Sequence, residues 1–289
     1  MQSEAFSDSS TSISVRKIEA GPPLSWVVDS FRLLRSHWKT LIPAYLIVTL
    51  ASGLLQWGLA SQAHRPGVGF FLMMLIGLFV AIVLQAGMSA VFHGAAEKQP
   101  RMGDVFRGFR GRILLGMALL LIAMILVTLA IALVVYLCIS LLGSGDSLSG
   151  LMGPQPGYGS IMGALMGGSS LILAVGLAGM AVLMALFCYA MPLIIISGEG
   201  VLSAMSNSFR ASFKNLFVLC IFGMNVTAVY FLTMIAPMIG GALSTSLIVF
   251  FIVMGLVSWL FGLVANGAYY LSFRDVLLVD RSGETASVK

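Results

Sequence analysis

Long apolar runs alternate along this chain with short stretches whose apolar residues recur at helical spacing. In the first stretch, Leu24, Val27, Val28, Phe31, Leu34 and Trp38 form one stripe. Asp29, Arg32, Ser36 and His37 take the other side, with Arg35 at the stripe's edge. A helix of this make-up lies flat where lipid headgroups meet water, apolar side down. The stretches Met102 to Arg110 and Leu202 to Lys214 repeat the device. When Phe31, Phe106 and Phe209 are aligned, the next residue is Arg32, Arg107 or Arg210, and two before stands Asp29, Asp104 or Asn207.

Each amphipathic stretch is followed by a pair of apolar runs. The runs are Leu41–Ala60 and Val68–Phe92, Ile113–Leu142 and Ile161–Ser197, and Leu216–Met238 and Ser244–Leu271. Each has the roughly 20 apolar residues needed to cross about 30 Å of hydrocarbon. Met191-Pro192 interrupts the fourth run, because proline frees a backbone carbonyl and kinks or ends a helix. The pattern therefore predicts an all-α integral membrane protein with six transmembrane helices. These form three repeats, about 24–97, 101–197 and 201–272, each an interfacial amphipathic helix followed by two transmembrane helices. Phe273-Arg274-Asp275 reads as the stub of a fourth surface helix, and Gly240-Gly241 as a turn. Residues 1–20 read as a disordered tail, 21–275 as the membrane domain and 276–289 as a second tail.

Charge then orients the spans. Of the 16 Lys and Arg, all but Arg65 fall in segments on one side of the predicted spans. The positive-inside rule puts that side, with both termini and the three surface helices, in the cytoplasm. Trp38, Tyr45, Tyr189, Tyr269 and Tyr270 are expected as an aromatic belt at this interface, and Trp57 and Tyr136 at the opposite one.

Composition agrees, with 59% hydrophobic and 9% charged residues and a mean hydropathy of +1.01, against roughly 25% charged for soluble domains. Bases at membrane edges rather than in a clustered soluble domain argue against nucleic acid as a partner. Cys138, Cys188 and Cys220 lie in apolar runs without metal-type spacing.

No carboxylate or base lies inside a predicted span, since all 11 acids fall in tails, surface helices or loops. Ion-coupled transporters and intramembrane proteases need such groups at depth. No P-loop or HExxH occurs, so no catalytic residue, metal site or cofactor is assigned. His37, His64 and His93 read as solvated interface residues. Gln56, Gln85, Asn225, Thr227, Thr233 and Asn266 are polar at depth and must find partners on other helices, or else line a solute path. Small-residue pairs Gly163/Gly167, Ala174/Ala178 and Ala181/Ala185 suit close packing of the fourth span. Arg32, Arg107 and Arg210 either snorkel and set topology or contact anionic lipid headgroups or a cytoplasmic partner, each steadied by the acid or amide before it.

Three segments carry a resemblance: Phe31-Arg32 to Leu41, Pro192 to Phe217 ("PLIIISGEGVLSAMSNSFRASFKNLF") and Gly267 to Val276, ending "SFRDV". They resemble uncharacterised bacterial six-span inner-membrane proteins, similar to the YciC-like group and to the membrane domain of some glycerophosphodiester phosphodiesterases. The soluble barrel of the larger relatives, with its metal-binding acids, has no counterpart in these residues. What the resemblance implies is a multi-pass protein of the bacterial inner membrane without that activity. Two roles follow as expectations: a non-enzymatic, membrane-organising or lipid-interacting protein, or a channel or transporter for a neutral or amphipathic solute.

Overall fold

The structure is a computed structural model that describes residues 15–18, 23–62, 67–142, 170–243 and 247–278. Arg65, His64, Asp146, Gly163 and Gly167 lie outside the described residues. The elements are α1 (Pro23–Gln62), α2 (Val68–Ala96), a 310 helix (Met102–Phe109), α3 (Gly111–Leu142), α4 (Ser170–Phe187), a short turn Ala190–Pro192 running into a π-helix (Leu193–Ser197), α5 (Val201–Lys214), α6 (Leu216–Leu243) and α7 (Leu247–Leu277). No β-strand occurs among the described residues. Among the described residues, five helices are long and apolar enough to cross a membrane, and a sixth span comes from α5 with Leu216–Leu232 of α6 when that bent pair is counted as one. The protein is an all-helical, multi-pass membrane protein.

The first two apolar runs join through residues 63–66, and α2 then packs on α1. Helix α7 lies between α1 and α6, α3 pairs with α4, and α2 touches α1, α3 and α7. The C-terminal half of α2 is the centre of the bundle, buried at most positions from Ile82 to Phe92. It ends in a Schellman-type cap, in which Gln99 N–H donates to Gly94 C=O at 2.8 Å and Lys98 N–H to Ala95 C=O at 3.2 Å.

The amphipathic stretches differ from one another. The first runs on into its span across a kink at His37, whose φ of −123° and ψ of 25° are non-helical, so α1 is two helices joined at that break. The second is a 310 helix, ended where Arg110 is extended and Gly111 takes φ +26°. The third is a separate helix, with α5 meeting α6 at 84° across Asn215, whose φ is −115° and ψ 21°.

Four further expectations are corrected. Arg274 and Asp275 belong to the unbroken C-terminal turns of α7, so no fourth surface helix begins there. Gly240 and Gly241 lie inside α6 rather than in a turn. Within the predicted N-terminal tail, Val15–Ile18 is docked on the bundle: Arg16 N–H donates to Val276 C=O at 3.0 Å and Ile18 N–H to Asn215 Oδ1 at 2.8 Å. Of the small residues on α4, Ala174, Ala178 and Ala181 face outward. The close approach instead falls at Gly179, where a Cβ would stand 2.5 Å from Ile131 Cγ2.

Candidate functional site at the base-rich end

Trp26, Phe92, Tyr189, Tyr270 and Phe273 are each less than 2% exposed and sit at the end carrying the bases. They surround a polar network that begins at a break in the fourth apolar run. Pro192 has no N–H, so the carbonyl four residues before it, at Cys188, has no helical donor. The hydroxyl of Tyr269 on α7 donates to it instead. One residue on, the ladder is spliced by α5: Ser208 Oγ accepts from Tyr189 N–H at 3.0 Å and donates to Ala185 C=O at 2.9 Å. Those are the two groups an unbroken helix would have joined directly. Tyr189 in turn donates its hydroxyl to Ser272 Oγ at 3.3 Å and stacks on Tyr269.

The same position in the first amphipathic stretch does related work. Ser30, fully buried, donates to Val264 C=O of α7 at 2.7 Å, over Gly267, where a Cβ would stand 2.2 Å from the Ser30 Oγ. Trp26 Nε1 donates to Asp275 Oδ2 at 2.8 Å. In the second stretch the equivalent residue is Val105, whose backbone presses on α2 so closely that a Cβ on Gly87 would lie 1.9 Å from the Val105 carbonyl oxygen. Val83 meets Gly108 in the same way.

These contacts set the roll of the first helix, with most of the expected apolar stripe outward and Leu34 buried. Trp26, Ser30 and Leu34 face the core, while Leu24, Val28, Phe31 and Trp38 face outward. Tyr189 and Tyr270 are core residues, not belt residues, and Tyr45 packs on Trp259 at 5.3 Å. His93 is no solvated residue either: Nδ1 lies 2.9 Å from Tyr270 Oη and Nε2 3.2 Å from Glu97 Oε1.

The arginines occupy three settings. Arg32 is exposed and paired with Asp29 at 2.9 Å, as the sequence suggested. Arg107 is half-buried and within electrostatic reach of His93, as is Arg274. Arg210 is exposed, and Asn207 does not steady it: the amide donates to both Glu199 oxygens at 3.1 Å. Of the polar residues at depth, Gln85 Nε2 donates to Asn266 Oδ1, and Asn266 donates to Gly262 C=O at 2.8 Å. Gln56 is exposed and Asn225 half-buried, so the structure brings together one pair of the four.

Ser208, Tyr269, Trp26 and Asp275 were missed by sequence reasoning. A signal was present: Ser-Phe-Arg occurs at 30–32, 208–210 and 272–274, and all three serines are fully buried. Among the described residues no group of three or more His, Cys, Asp or Glu could hold a metal ion. Compared with protein-family models, curated proteins and solved structures, the chain finds no match.

Proposed function

We propose that this chain is a non-enzymatic, lipid-interacting organiser of the bacterial inner membrane, with both termini cytoplasmic and its amphipathic stretches against the inner leaflet. One observation carries the reading. In each of the three stretches the residue before the Phe (Ser30, Val105, Ser208) is fully buried on a span, while Phe31, Phe106 and Phe209 point outward beside an Arg. The buried residue fixes the roll of the stretch. The Phe then enters acyl carbons while Arg32, Arg107 and Arg210 reach headgroup phosphates.

Threefold repetition, and kinship with the six-span group, belong to the same proposal. Two features support the repetition. The first stretch packs on α7, the second on α2 and the third on α4. Each thus lies on the second span of the preceding unit, and the first closes on the last. Further, His37 and Asn215 stand equally far after Phe31 and Phe209, and break the helix with nearly the same dihedrals. A solute path along Gln56, Gln85, Asn225 and Asn266 fits less well, because Gln85 and Asn266 satisfy each other and Gln56 faces outward.

Retention of anionic lipid tests the reading, measured by native mass spectrometry from nanodiscs. Near an anionic surface each base contributes about 1 kcal/mol, screened by salt. The triple variant R32Q/R107Q/R210Q should therefore lose most salt-sensitive anionic-lipid binding while keeping its helical circular dichroism. Unchanged binding would leave these arginines a topological role alone and remove the proposal.

A further inference from the structure

An open groove of about 190 Å³ lies between the first turns of α3 and the loop entering α5. Ile113, Gly116, Leu119 and Ile194 give it an apolar wall, and Arg112 and Glu199 line it as well. The two charges border one small space, yet the ion pairs among the described residues do not include them. Glu199 is held on its other side: Ser203 Oγ donates to it at 3.2 Å and Asn207 Nδ2 at 3.1 Å. A carboxylate has about four acceptor positions, so this grip orients the group and leaves room for another donor. The loop itself keeps the mouth clear. Gly198 turns at φ +68°, and a Cβ on Gly200 would meet nothing within 4 Å.

Below the groove, exposed Leu115, Leu119, Ile122 and Leu126 continue down one face of α3. At 1.5 Å per residue this stripe is about 16 Å long, the depth of one leaflet's hydrocarbon. A cation and an anion that face a common gap, set above an apolar track of this length, are complementary to a zwitterion with a long tail. We propose that the groove binds a zwitterionic aminophospholipid, its phosphate on Arg112, its ammonium on Glu199 and one acyl chain along the α3 stripe. The groove is too small for a whole lipid, so it takes the headgroup and leaves the chains in the bilayer. An anionic glycerol headgroup would satisfy Arg112 alone. This site uses residues other than Arg32, Arg107 and Arg210, and it stands or falls apart from the rim they form.

Native mass spectrometry from nanodiscs of equal phosphatidylethanolamine and phosphatidylglycerol reads the preference directly. The unaltered protein should retain the ethanolamine lipid about fivefold over the glycerol lipid, the worth of one partly exposed charge-assisted contact. Glu199→Gln, which keeps an acceptor for Ser203 and Asn207, should bring the ratio to about one, and Arg112→Gln should lower retention of both lipids. The triple variant R32Q/R107Q/R210Q should keep the ratio. Equal retention by the unaltered protein, or a ratio that survives Glu199→Gln, would overturn the site. A second measurement needs no substitution. Phosphatidylcholine has no ammonium N–H to donate, and its retention on a par with phosphatidylethanolamine would equally overturn the contact with Glu199.

Discussion

The two ends of the bundle solve different problems. At the base-rich end, Trp26, Phe92, Tyr189, Tyr270 and Phe273 are sealed among helices. In the opposite halves, Leu54, Trp57, Phe71, Ile76, Leu129 and Leu133 are all exposed. Lipid tails are as apolar as leucine, so an outward side chain in hydrocarbon gives up little by missing a protein partner. Unpaired backbone is another matter, costing several kcal/mol per group away from water. The chain breaks its helices at His37, Arg110–Gly111, Cys188–Tyr189 and Asn215, all at the base-rich end. At Cys188–Tyr189 side chains supply what the ladder lost. At Asn215 the buried side chain accepts Ile18 N–H at 2.8 Å and donates to Arg16 C=O at 2.8 Å. Among the described residues, the broken backbone at Cys188–Tyr189 and at Asn215 stands where protein surrounds it and supplies its partners.

The contrast can be broken most forcefully at glycine. Gly87→Ala would set a methyl against the Val105 carbonyl, 1.9 Å away, and force the 310 helix off α2. We expect a loss of about 3 kcal/mol in thermal unfolding in detergent. Gly53→Ala, in the outward half of α1 with nothing within 4 Å, should be neutral or stabilise by up to about 1 kcal/mol. Equal effects at the two sites would erase the distinction.

Next in size is the splice. Ser208→Ala leaves Tyr189 N–H and Ala185 C=O without their partner, a cost of about 2 kcal/mol. Hydrogen exchange should quicken at residues 185–189 before it does in α2. Thr128→Ala, which removes a bond to Met124 C=O on an exposed face, should change stability by no more than about 0.5 kcal/mol. The smallest effect belongs to Leu54→Ala, also within about 0.5 kcal/mol, because the removed methyl groups face outward. A larger loss there would reveal a protein partner over the outward halves.

Periodicity and composition alone determined the helical class, the membrane setting and the bases gathered at one end. These follow from local rules: a run of apolar residues must satisfy its backbone within itself, and an unpaired charge stays out of hydrocarbon. The Asp29–Arg32 pair was readable too, lying one helical turn apart. Tertiary structure decided the rest. An amphipathic stretch with Trp26 on one side and Phe31 on the other has two apolar faces, and its pattern does not say which meets protein and which meets lipid. The answer came from Val264 and Gly267, distant in sequence, which offer Ser30 a carbonyl and a gap. In the same way, Pro192 announced a break, but only α5 and α7 folded beside it determined that Ser208 and Tyr269 would mend it. Hydrogen bonds between residues far apart in the chain leave no period in the sequence, and at the base-rich end they set the geometry.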